Sequence, residues 1–340
     1  MLPVTIKNDS YKLEVLISRP SGNTPRPLAV LTHGVPRARS SAEGVSNRRK
    51  FSPYAFIRTA EEFARRGYIT AIVMRFGFGK SEGRYSENYV SCNNANFLTA
   101  GRNAAGIIGA AVDSLILRPD VDRDRILVVG HSGGGFGTIA LTSQKGNKVT
   151  AAINFAGGRG ANVAGKICSE RKLVEAFTTF GQTSRVPSLW LYSRNDGYFS
   201  PDVSERLFDA FVDGGGEAKY ELLDSFGKDG HQIFSSGLAG VHLWRNPVDR
   251  FLKTVGLPTW DSPPAELYKK IPPPEELNIR NRRKWERYLK GGDNKAFAIS
   301  EDGYFGWSTR RRTVEEAEEG ALGFCKGDCR IVSVNGKMVE

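Results

Sequence analysis

The segment Ile126-Leu127-Val128-Val129-Gly130-His131-Ser132-Gly133-Gly134-Gly135 decides how the chain is read. Four consecutive apolar residues describe a strand buried on both faces, as strands of a parallel sheet are. The strand runs without a spacer into Gly130-x-Ser132-x-Gly134, and Ile139-Ala140-Leu141 carries the chain on as a helix. So sharp a strand-to-helix turn holds a serine in a strained backbone conformation, with its hydroxyl raised at the carboxyl end of the sheet. Flanking glycines are needed because side chains there would strike neighbouring backbone. In a chain with 38 glycines the pattern alone is weak, and its place between a buried strand and a helix gives it weight.

Outward from this turn, apolar runs of strand length alternate with segments of helical period, the signature of βαβ units and an α/β fold with a mostly parallel sheet. Tyr11 to Ser18 alternates like an edge strand, and Leu28 to Leu31, Ile69 to Met74, Val149 to Phe155, Ser188 to Tyr192 and Ala218 to Leu223 read as further strands. Helices are expected over Pro53 to Arg66, with Ser52 as N-cap, and from about Gly101 to Leu117. Others are expected near Glu170 to Phe180, Asp202 to Asp213 and Trp244 to Val255. The length of 340 residues suits one large core with a small appendage. The expected division is a catalytic domain over 1–257, a Pro-rich linker over 258–284 and a small β-α-β module over 285–340. In that module Thr313 and Glu316 form a capping box, and Cys325 and Cys329 bracket a helix end and a strand start. A disulfide between these two is the favoured reading, with a free thiol pair and zinc as the alternatives.

Composition narrows the function. Hydrophobic residues at 40% and charged residues at 25% exclude collagen-like, disordered and coiled-coil chains, and no apolar run approaches the roughly 18 residues of a membrane span. The formal charge of +11 invites a nucleic-acid reading. It is scattered, however: from Glu275 to Glu340 thirteen basic residues face twelve acidic ones, so nearly all the surplus lies in residues 1–274. No nucleic-acid partner is expected. Met1-Leu2-Pro3 leads straight into Val4-Thr5-Ile6-Lys7 without the basic and apolar run of an export signal. The chain is therefore expected to be either cytosolic or the mature form of an exported protein.

A serine hydroxyl becomes a nucleophile only when a base takes its proton, and the base needs an acid to orient it. Of four histidines, His33 precedes the serine on another strand and His131 adjoins it and points elsewhere. His231, in the loop after the last strand, is the expected base, with His242 in reserve. Asp196 follows the buried run Leu189-Trp190-Leu191-Tyr192, 64 residues after Ser132 and 35 before His231, and is the expected acid ahead of Asp224 and Asp229. The oxyanion would be held by the backbone N–H groups of Gly133 and Val35. His33 is expected to organise the loop. Neither Gly-rich turn spells a dinucleotide fingerprint, and no metal or organic cofactor is implied.

The stations His33-Gly34, Arg75 to Gly83, Gly130 to Gly134, Asp196 and Gly230-His231 resemble those of the α/β-hydrolase superfamily, and within it the dienelactone hydrolase-like proteins of bacteria. The likeness covers about residues 4–257. Asn154 to Gly160 and Leu189 to Tyr192 resemble an exported branch of that group, in which cysteines placed like Cys92 and Cys168 pair. The resemblance thus implies a disulfide there and a periplasmic or secreted location, with cytoplasm as the alternative. Dienelactone hydrolases proper use a cysteine nucleophile; this chain has Ser132, so the lactone substrate is not carried over. About 30 residues separate Phe155 from Ser188, leaving room only for a small cap. Arg37, Arg39, Arg159 and the loop over 84–98 would form a modest rim around a small ester or amide. The expected activity is that of a serine hydrolase cleaving a carboxylic ester through an acyl-enzyme. The alternatives are an amidase or peptidase on the same residues, or a binding protein whose C-terminal module, with Tyr304, Phe305 and Trp307, docks a partner.

Overall fold

The computed structural model describes the chain except Asn23, Arg39, residues 261–269 and Glu340. The chain opens with a two-stranded sheet, β1 (Leu2–Ile6) antiparallel to β2 (Asp9–Leu13), then enters the main sheet at β3 (Val15–Ser18) and β4 (Arg26–Thr32). Helix α1 (Ser41–Arg49) and α2 (Ile57–Arg65) precede β5 (Ile69–Val73), and α3 (Phe97–Leu115) precedes β6 (Val121–His131). Then come α4 (Gly133–Thr142), β7 (Ala151–Phe155), a hairpin of β8 (Ala161–Val163) and β9 (Lys166–Ile167), and α5 (Glu170–Thr183). The first part of the chain finishes with β10 (Ser188–Ser193), α6 (Pro201–Asp213), β11 (Ala218–Leu223) and α7 (Val241–Thr254).

Seven strands form the main sheet in the order β11-β10-β7-β6-β4-β5-β3. All neighbours are parallel except β3, which pairs antiparallel with β5 at the edge. This is the expected α/β fold class. Strand β6 lies at the middle, its residues Ile126 to Val129 wholly buried. At roughly 1.5–3 kcal/mol per buried aliphatic side chain, such central strands hold the sheet together. Helix α4 is buried along its whole length, which is why its sequence is apolar all round instead of striped.

Several elements differ from expectation. The segment expected as one strand, Tyr11 to Ser18, breaks at Glu14: Leu13 pairs with Leu2, whereas Val15 pairs with Val73. Glu14 itself is buried, its N–H donating to Ser81 Oγ (2.8 Å) and its carboxylate accepting from Lys80 N–H (2.7 Å). The helix expected from Pro53 starts only at Ile57, after a 3₁₀ turn over Pro53–Phe56. Helix α3 begins earlier than expected, because the Asn96 side chain accepts from Thr99 N–H (2.9 Å) and caps it. Helix α1 was not anticipated. Its N-cap is Ser40, which accepts from Glu43 N–H (3.1 Å), but it buries only Gly44 and so shows no apolar period.

The chain divides into two compact units, the first comprising Met1–Pro53, Ala60–Phe234 and His242–Thr259, and the second Tyr54–Thr59, Ser235–Val241 and Trp260–Glu340. The second unit contains α8 (Arg282–Lys290), β12 (Ala296–Ser300), β13 (Phe305–Ser308), α9 (Val314–Phe324), β14 (Cys329–Val334) and β15 (Lys337–Met338). Its sheet is antiparallel in the order β13-β12-β14-β15, two strands more than a β-α-β module has. The hairpin of β14 and β15 turns on Asn335-Gly336, both at positive φ (49° and 72°), the dipeptide that favours such turns. Trp285, Tyr288, Phe297 and Val332 form its core, with the Phe305 ring stacked on Phe297 and Trp307 packed alongside. Tyr304 remains exposed. Thr313 caps α9 as expected, accepting from Glu316 N–H, while the Glu316 carboxylate accepts from Arg312 N–H.

Both cysteine pairs lie at disulfide distance, Cys92 with Cys168 and Cys325 with Cys329. No described helix is long and apolar enough to cross a membrane.

Candidate active site

Ser132 sits where β6 ends and α4 begins, with φ 55° and ψ −123°. Positive φ is costly for a residue with a Cβ and persists only where surrounding structure enforces it. Here Ser132 N–H donates to Phe155 O (2.9 Å), and Ser132 O accepts from Phe136 N–H (3.0 Å) and Gly158 N–H (3.3 Å). The turn is closed so tightly that a Cβ on Gly130 would lie 2.3 Å from Gly134 O, and one on Gly134 would lie 2.5 Å from His33 O. The loop after β4 passes directly over the serine, since a Cβ on Gly34 would stand 3.0 Å from Ser132 Cβ and 3.4 Å from its Oγ.

His231 lies in the segment after β11, in a short 3₁₀ turn over Gly230–Gln232. Its Nδ1 stands 3.0 Å from Asp196 Oδ2 and 3.1 Å from Oδ1. Asp196 is in the loop after β10, and its Oδ1 also accepts from the N–H groups of Tyr198 (2.8 Å) and Phe199 (3.0 Å). These donors hold the carboxylate in place beside His231 Nδ1. Asp229, weighed as an alternative acid, is used otherwise: its Oδ1 accepts from the backbone N–H of His231 (3.0 Å) and of Gly197 (2.9 Å). Asp224 faces Arg194 at the surface, and the reserve base His242 is exposed on α7.

Gly133 and Val35 are brought together, a Cβ on Gly133 reaching 2.8 Å from Val35 Cγ2. The same Cβ would lie 3.2 Å from Arg159 Nη1. Arg159 is buried, with Nη2 donating to Tyr85 Oη and to Glu87 O (2.6 Å). Arg37 is exposed and lies over the Tyr198 ring at 3.7 Å, and that ring packs on His231 at 4.5 Å. Arg39 lies outside the described residues.

His131 does not simply point elsewhere, as the sequence suggests. Its ring packs against His231 with centroids 5.0 Å apart, and its Nε2 stands 2.8 Å from His231 O. A carbonyl only accepts, so Nε2 carries hydrogen. Burial, reinforced by His231, pushes the His131 pKa down to about 3, so this ring is neutral at ordinary pH. His33 organises its loop: Nδ1 is 2.7 Å from Gly34 O, and Nε2 accepts from Arg75 N–H (3.2 Å). Burial, and then the charge of Arg75, hold His33 well below its ordinary pKa. Arg75 is buried and donates to His33 O (2.7 Å) while pairing with Glu87 (2.6 Å), tying the end of β4 to the loop that carries Tyr85. Sequence reasoning named the loop over 84–98 as part of the rim without singling out Tyr85 and Glu87 within it, and it did not name Tyr198. The only signal was that they lie in the loops after β5 and β10, at the carboxyl edge of a parallel sheet, where sites in this architecture collect.

No protein-family model and no curated protein matches this chain. Among solved structures it is similar to an esterase from Pyrococcus furiosus, at 14% identity and a TM-score of 0.50, over 74% of this chain and 90% of that one. It is also similar to a puromycin-hydrolysing peptidase from Mycobacterium tuberculosis, at 19% identity and a TM-score of 0.52, over 76% of this chain but only 39% of that one. A protein from Klebsiella pneumoniae provisionally described as a dienelactone hydrolase aligns at 14% identity and a TM-score of 0.48, over 75% of this chain and 97% of that one. The likeness is one of fold: the chain shares the α/β-hydrolase fold with a protein described as an esterase and with one described as a peptidase.

Proposed function

We propose that the protein is a serine hydrolase that cleaves a carboxylic ester through an acyl-enzyme. The observation that carries this reading is the His231 ring held on Asp196 at 3.0 Å, in a unit whose central elbow keeps Ser132 at positive φ under the Gly34 loop. With Nδ1 bound to Asp196, His231 offers Nε2 as the base. Ser132 Oγ bonds to the carbonyl carbon as its proton passes to Nε2, and the carbonyl π pair becomes the oxyanion. Collapse expels the alcohol oxygen, which takes that proton, and leaves the acyl-enzyme. Water then repeats the sequence and releases the acid. The N–H of Gly133, at the N-terminus of α4, and the N–H of Val35 hold the oxyanion, a contribution of roughly 3–4 kcal/mol per donor. Arg37 and Arg159 border the substrate. The hydrolase chemistry belongs to residues 1–257, and the module over 285–340 serves docking or stability.

An amidase or peptidase on the same residues is the second reading, since the fold is shared with a peptidase. Turnover of 4-nitrophenyl acetate against an aminoacyl 4-nitroanilide separates the two. Rapid ester turnover with negligible anilide turnover is expected, and the reverse order would replace the ester reading.

A further inference from the structure

Three arginines gather around the proposed site without a carboxylate among the described residues to pair with. Arg37 lies over Tyr198, Arg48 lies over the Tyr85 ring at 4.0 Å, and Arg159 donates to Tyr85 Oη and Glu87 O. The nearest carboxylate in that loop, Glu87, is already bound to Arg75. Arg159 matters most because it is 8% exposed, its partners are neutral oxygens, and its Nη1 is directed to Gly133 with no hydrogen-bond partner among the described residues. A buried guanidinium is costly until an anion meets it. The charge of Glu87 offsets part of that cost, but its carboxylate takes its hydrogen bonds from Arg75, so one carboxylate serves two guanidinium groups and the cluster keeps an excess of positive charge.

On the serine hydrolase reading, on which this step rests, we infer that the substrate's acyl half carries a carboxylate that binds Arg159. The side is set by geometry. The alcohol must leave beside His231, which gives it a proton, whereas Arg159 borders Gly133, the residue assigned to the oxyanion. A group on Arg159 therefore belongs to the acyl chain. Tyr85 and Glu87 O fix the plane of the guanidinium, which leaves Nη1 for a charge-assisted hydrogen bond. The class of substrate is a monoester of a short dicarboxylic acid.

The test compares monoethyl succinate with ethyl 4-methylpentanoate, whose isopropyl end has the shape of a carboxylate without its charge, by acid release in a pH-stat. The anionic ester is expected to have the higher kcat/KM, by about tenfold to a hundredfold. Arg159→Gln should reduce that ratio to near one, Arg159→Lys should restore part of it, and Arg171→Gln, exposed on α5, should leave it unchanged. Because Arg159→Gln could disturb folding, the unaltered protein supplies a second readout: succinate should inhibit 4-nitrophenyl acetate turnover at least about tenfold more strongly than 4-methylpentanoate. No preference for the anionic ester or inhibitor overturns the inference, as does a ratio that survives Arg159→Gln. An equal loss on both esters overturns it too and assigns Arg159 to the oxyanion. If neither ester is hydrolysed while a fluorophosphonate labels the protein, this substrate class fails. If neither is hydrolysed and nothing is labelled, the hydrolase reading itself fails.

Discussion

The Nε2 of His131 donates to the carbonyl oxygen of His231 at 2.8 Å, so the residue next to the proposed nucleophile anchors the main chain of the proposed base. With Asp196 at the ring and Asp229 at the backbone N–H, His231 is held from three directions. A side chain so constrained needs little reorganisation when it takes a proton, which is the advantage of a preorganised site.

Removing the acid should therefore disable the base without unfolding the protein. Asp196→Asn still accepts from the N–H groups of Tyr198 and Phe199, but it can present its amide to His231 Nδ1 and stabilise the wrong tautomer. The expected result is a fall in kcat of about ten-thousand-fold with little change in Tm, measured on 4-nitrophenyl acetate. Asp229→Asn, which loses only part of a backbone contact, should cost far less. A larger loss in Asp229→Asn would reverse the two roles.

His131 and His33 make stability depend on acid. Both have folded-state pKa values below the ordinary 6.5, His131 at about 3, with burial the main cause in each. The unfolded chain binds these protons near pH 6.5 and the folded chain does not, so stability is full above pH 6.5 and is lost as the pH falls towards 3. His131 contributes a slope of roughly 1.4 kcal/mol per pH unit in that window, and His33 acts in the same direction. The midpoint of urea unfolding should drop clearly from pH 7.5 to pH 5, and the drop should be smaller in His131→Asn. A midpoint that does not move over this range would contradict the burial argument.

The elbow tolerates no side chain at Gly134, where a Cβ would lie 2.5 Å from His33 O, a backbone atom that cannot swing away. Gly134→Ala should destabilise the protein by about 1–3 kcal/mol or more by forcing β4 and α4 apart. It should also reduce turnover, since the displaced loop carries Val35. Chemical denaturation gives the first number and steady-state kinetics the second.

The two cysteine pairs should differ in weight. Cys92 and Cys168 are 76 residues apart, whereas Cys325 and Cys329 are 4 apart. Chain-entropy reasoning assigns about 4 kcal/mol to the long loop and about 2 kcal/mol to the short one. Replacing the first pair by serine should therefore lower Tm more than replacing the second. Thiol titration without reductant should find no free thiol in the native protein.

What could be read in the sequence was whatever rests on local pattern. The buried run Ile126 to Val129, its glycine turn and the alternation of strands with helices specify the sheet, because in parallel sheets the hydrophobic run itself is the signal. The positions of loops at strand ends follow from the same pattern. Helix α1 was not legible, since it has a capping serine but no apolar face. Asp196 could be preferred over Asp229 from the order of the strand-end loops, but the contact of Asp229 with the His231 backbone N–H could not be read, because it is made by the curvature of the loops. Arg75 with Glu87, and His131 with His231, are buried polar pairs made by tertiary structure, 12 and 100 residues apart, and no periodicity marks them.

The central claim is that Ser132 is the nucleophile, and covalent labelling tests it most directly. A fluorophosphonate probe, followed by intact mass and peptide mapping, should add one adduct to the folded protein, on Ser132, and none to Ser132→Ala of equal Tm. Absence of labelling on well-folded protein, or an adduct that persists in Ser132→Ala, would contradict the account.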